Sequence, residues 1–61
     1  MKSKEELLQM FHTALWELQE TNNENVKSRL RYELELLLYI LENDIDDEYV
    51  AIAEMLLSRS Y

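Results

Sequence analysis

The sequence predicts an all-α protein of three helices, an antiparallel helix 1–2 hairpin followed by a C-terminal helix 3, assembled as a homodimeric helical bundle. Three observations lead there. The 61 residues include neither glycine nor proline, so the residues that supply positive φ in tight turns and those that interrupt helices are both missing, which disfavours a hairpin-rich sheet. Apolar residues recur at helical spacing in three separate segments, as amphipathic helices require. Between the segments stand clusters of Asn, Asp and Thr, whose short side chains compete for backbone hydrogen bonds and favour helix ends over helix interiors.

Helix 1 is expected over about 4–20. Ser3-Lys4-Glu5-Glu6 has the S-x-x-E form of a capping box, in which the serine hydroxyl and the glutamate satisfy each other's otherwise orphaned backbone donors. Leu7, Leu8, Phe11, Leu15 and Leu18 follow as one stripe, flanked by Met10 and Ala14. Thr21-Asn22-Asn23-Glu24-Asn25 breaks the pattern, and Thr21, Asn22 and Asn23 are each suited to cap the next helix. Helix 2, about 24–43, carries Val26, Leu30, Leu34, Leu37, Leu38 and Leu41; so short a connection implies an αα-hairpin. The second break is Asn43-Asp44-Ile45-Asp46. Asp46 is the preferred cap of helix 3, about 46–58, because Ile45 and Val50 then occupy the positions of a hydrophobic staple while Asp47 and Glu48 complement the helix dipole. The whole forms a single helical domain, residues 1–61.

A chain of this length buries only about 60% of the surface it exposes when unfolded. Small scaffolds of this kind draw extra stability from disulfides, a structural metal, regular helix packing or self-association. With no cysteine and one histidine, His12, the first two are closed. No cofactor is expected. The longest apolar run, Leu36 to Leu41, is far shorter than the roughly 20 residues of a membrane span, and the N-terminus has no apolar signal region. No membrane partner and a cytoplasmic location follow as expectations.

Thirteen acidic against six basic side chains give a net charge of −7, a sign that repels nucleic acid. A helix-turn-helix built from helices 2 and 3 would open its recognition helix with Asp46, Asp47 and Glu48, which repel phosphate where binding is needed. Lys27, Arg29 and Arg31 are therefore expected to pair with carboxylates of the same chain or its mate. No nucleic-acid partner is expected. The acidic run Glu42, Asp44, Asp46, Asp47 and Glu48 fails as a calcium loop, because the sixth and twelfth positions counted from Asp44 are Tyr49 and Met55 instead of glycine and glutamate. It is an acidic surface, suited to docking on a basic protein or to imitating nucleic-acid phosphate.

Helix 2 is the most informative element. At about 100° per residue, Tyr32, Leu36, Tyr39 and Ile40 cluster opposite the Leu30/Leu34/Leu37/Leu41 stripe. A helix apolar on two faces is normally covered on both, so the second face is covered by helix 3, by a second copy or by a target. Trp16 lies off the helix 1 stripe beside His12, and tryptophan is enriched at interaction hot spots; helix 3 or a mate packing over it is the plainer alternative. Tyrosines 32, 39, 49 and 61 suit an interface or the rim of a core. No catalytic residues are expected: His12 has no thiol or suitably directed hydroxyl beside it, and no glycine-rich phosphate loop exists. The expected function is that of a small acidic regulator or inhibitor binding a larger protein, the kind of compact factor that bacteria and their phages use. Alternatives are a structural oligomerisation module, a designed helical scaffold with no client, or an acidic mimic of nucleic acid.

Overall fold

The computed structural model describes residues 3–58. It consists of α1 (Lys4–Glu20), α2 (Glu24–Leu41) and α3 (Asp47–Ser58). The expected three-helix, all-α architecture is present. Tyr61 and Arg59 lie outside the described residues.

The start of α1 follows from its capping box. The Ser3 hydroxyl accepts from the Glu6 N–H at 3.2 Å, and the Glu6 carboxylate accepts from the Ser3 N–H at 3.3 Å. At the first break the three candidate caps divide their work. Thr21 ends α1, its N–H donating to the Glu17 carbonyl, and its hydroxyl accepts from the Asn23 N–H. Asn23 begins α2, its side-chain oxygen accepting from the Asn25 and Val26 N–H groups at 2.9 and 3.2 Å. Asn23→Ala removes both acceptor contacts and is expected to cost about 1 kcal/mol; urea denaturation followed by far-UV circular dichroism measures it, and an unchanged midpoint would show that the cap contributes nothing.

The second break differs from expectation at one end. α2 stops at Leu41 and not near Asn43. Leu41 is the last residue of the buried stripe, and the Asp44 N–H turns back to donate to its carbonyl, so Glu42 and Asn43 go into the turn. Asp46 stands immediately before α3, its carbonyl accepting from the Tyr49 and Val50 N–H groups. Ile45 is buried and Val50 packs partly buried against the same core, as a staple requires.

The hairpin is antiparallel: Lys4 at the start of α1 pairs with Asp44 just beyond the end of α2, at 3.5 Å. α1 and α2 make the main contact of the fold, and α3 folds back against both. A Cα radius of gyration of 11.0 Å matches the roughly 10–11 Å of a compact chain this long, so α3 rests on its own hairpin. The core is apolar throughout. Phe11, Ala14, Leu15 and Leu18 of α1 meet Leu30, Leu34, Leu37 and Leu41 of α2, with Ile45 from the turn and Ala53 from α3. Among the described residues no polar or charged side chain is buried, so burial of hydrocarbon holds the helices together without polar networks to satisfy.

Candidate functional site

The two faces of α2 separate cleanly. Leu30, Leu34, Leu37 and Leu41 are all buried, whereas Tyr32 is 66% exposed, Leu36 46%, Tyr39 81% and Ile40 58%. Helix 3 does not cover the second face. It settles instead on the core side of the hairpin, where Ala53 is fully buried and the Tyr49 ring meets His12 of α1. Four large apolar side chains therefore lie as one strip along the outside of α2. Single exposed apolar residues are ordinary, but a contiguous strip is the usual mark of an interaction surface.

Trp16 is 66% exposed, on the side of α1 turned away from the core; it and the α2 strip belong to different helices. His12, one turn before it, has an exposed side chain whose ring lies edge-on to two aromatic neighbours. The centroid separations are 4.8 Å to Tyr49, at an interplanar angle of 85°, and 5.5 Å to Phe11, at 75°. This T-shaped geometry is the favourable one for ring pairs. His12 thus helps seat α3 on α1.

The acidic residues Glu42, Asp44, Asp46, Asp47 and Glu48 are all exposed around the α2–α3 turn. Asp44 is engaged by Lys4, and Asp47 and Glu48 occupy the first turn of α3, where they complement its dipole. Among the described residues no group of three metal-ligating side chains converges, and no helix is long and apolar enough to cross a membrane. The basic cluster on α2 is split by the helix. Lys27 pairs with Glu24 at 3.5 Å and the Arg31 guanidinium reaches the Ser28 hydroxyl at 3.4 Å, while Arg29 is exposed and, at about 100° per residue, falls on the strip side of the helix.

One feature escapes sequence reasoning. An open groove of 510 Å³ runs between the end of α1, the start of α2 and the second half of α3, with Leu18, Ile52, Met55 and Leu56 as its apolar lining and Lys27 and Arg31 at its edge. Its walls come from three separate segments, so no local pattern announces it. Met55, half-exposed and off the α3 stripe, is the only signal.

Comparison with known proteins leaves the interpretation to this geometry: no family model, no curated protein and no solved structure matches the chain.

Proposed function

We propose that the chain is a small acidic protein-binding module, a cytoplasmic regulator or inhibitor that acts by docking and carries out no catalysis. One observation carries this reading: Tyr32, Leu36, Tyr39 and Ile40 form an exposed apolar strip on a helix whose opposite face already supplies the core. Among the described residues nothing covers the strip fully, and exposed hydrocarbon costs solubility unless something covers it. Its chemistry suits an interface, because tyrosine offers a large rigid ring with a hydroxyl that remains hydrated at a rim. Catalysis is left out because the one imidazole, His12, is turned against two aromatic rings, whereas a general base needs a proton donor within hydrogen-bond reach. Nucleic acid is disfavoured by the net charge of −7.

The test is site-specific photo-crosslinking. A photoreactive residue at Tyr39 is expected to give protein adducts in cell extract, and the same residue at Glu54, exposed on α3, is expected to give few. Equal yields from the two positions, or none from Tyr39, would remove the strip as a docking surface.

A further inference from the structure

We infer that the occupant of the α2 strip is a second copy of this chain, its α2 laid antiparallel across the first about a two-fold axis near Leu36. The inference rests on the docking reading above and adds the identity and direction of the partner. Three features lead to it.

The first is the symmetry of the strip. Tyr32 and Ile40 stand equal distances before and after Leu36. In an antiparallel pair centred there, each Tyr32 ring meets the other copy's Ile40 and the two Leu36 side chains meet each other. A two-fold interface has to be self-complementary in this way, and an aromatic ring on a β-branched side chain at each end of a leucine contact meets that demand.

The second is charge. At about 100° per residue Arg29 projects between Leu36 and Ile40, on the strip itself, about 10 Å along the axis from Leu36. The antiparallel arrangement sets it against the C-terminal end of the second copy's α2, where that helix gives way to a turn that opens with exposed Glu42. Each protomer then contributes a cation at one end of the seam and a carboxylate at the other, and the two helix dipoles oppose each other favourably. A parallel pair would put Arg29 on Arg29 and Glu42 on Glu42.

The third is area. A small stable interface takes about 600–800 Å² from each partner. Aromatic residues carry roughly 150–250 Å² each, so Tyr32 and Tyr39 supply about 300 Å² at their observed exposure. Leu36, Ile40, Arg29 and the polar rim complete the requirement. Trp16 and the Asp46–Glu48 end of the acidic surface stay outside this seam, so a dimer displays them twice.

Engineered thiols test both partner and direction, since the chain has no cysteine of its own. All three positions used are exposed, and circular dichroism confirms that each variant keeps its helicity. Under mild oxidation Leu36→Cys is expected to form a covalent dimer with itself. Tyr32→Cys alone is expected not to, and a mixture of Tyr32→Cys with Ile40→Cys is expected to link. Sedimentation equilibrium should give twice the chain mass at micromolar concentration. Arg29→Glu should weaken the dimer at least ten-fold, and Arg29→Glu with Glu42→Arg should restore most of the loss. Equal self-linking of every single variant, or a charge swap that restores nothing, overturns the antiparallel pair. A monomeric mass throughout the concentration range, with Tyr39 adducts formed only to other proteins, overturns the second copy and leaves the docking reading standing; absence of any Tyr39 adduct removes both.

Discussion

Leu34→Glu is expected to leave no folded population at 25 °C, while the same change two residues later, Leu36→Glu, keeps the helices and abolishes association. Leu34 has no exposure to solvent and sits in a core to which, among the described residues, no polar side chain contributes. A carboxylate there must be protonated, hydrated by opening the core, or left unpaired, at a cost of several kcal/mol. A chain of this length has only about 3–9 kcal/mol of stability to lose. Leu36 is nearly half-exposed on the opposite side of the same helix, so a glutamate there stays wet in the single chain and becomes unfavourable only when the strip is covered. Circular dichroism and sedimentation on the two variants separate the effects. A Leu34→Glu chain melting cooperatively near the wild-type temperature would mean that the two faces are assigned the wrong way round.

Phe11→Ala is expected to cost about 3–5 kcal/mol, the range for removing a buried aromatic side chain and leaving a partly collapsed cavity. Phe11 and Leu34 are the largest fully buried side chains in the fold. The loss at Phe11 goes beyond its own contacts, because its ring also supports His12, which in turn receives Tyr49 from α3. Urea denaturation of Phe11→Ala should therefore show a midpoint reduced by most of the wild-type value. A shift equivalent to less than about 1 kcal/mol is what a surface position would give, and would contradict the burial of Phe11.

Much of this architecture can be read from residue spacing because each helix declares its own stripe. The capping box at Ser3 and Glu6 fixes the start of α1 to the residue, and the four leucines of the α2 stripe all reach the core. The end of α2 is harder to read. Glu42 is a good helix former, yet its N–H makes the last bond back into α2, to the Leu38 carbonyl, and the Asp44 N–H then returns to the Leu41 carbonyl as the chain turns and Ile45 enters the core. Three residues of similar capping ability compete at Thr21–Asn23, and the last turn of α1 decides between them by claiming Thr21. The apolar strip on α2 is legible as a face. What periodicity does not carry is which neighbour lies over that face, since this depends on the path of the Glu42–Asp46 turn and on how closely Ala53 lets α3 approach the hairpin. The groove beneath Met55 is illegible for the related reason that three distant segments form it.

The exposed position of Trp16 also decides what a fluorimeter sees. The only tryptophan of the chain is 66% exposed while the chain is folded, so its indole is expected to emit from a largely water-like environment before unfolding as well as after. Denaturation will hardly move its emission maximum, and a flat fluorescence trace is no sign of an unfolded protein. A blue shift on mixing with another molecule, by contrast, reports that this face of α1 has been covered. The intrinsic fluorophore is a silent probe of folding and a sensitive probe of contact.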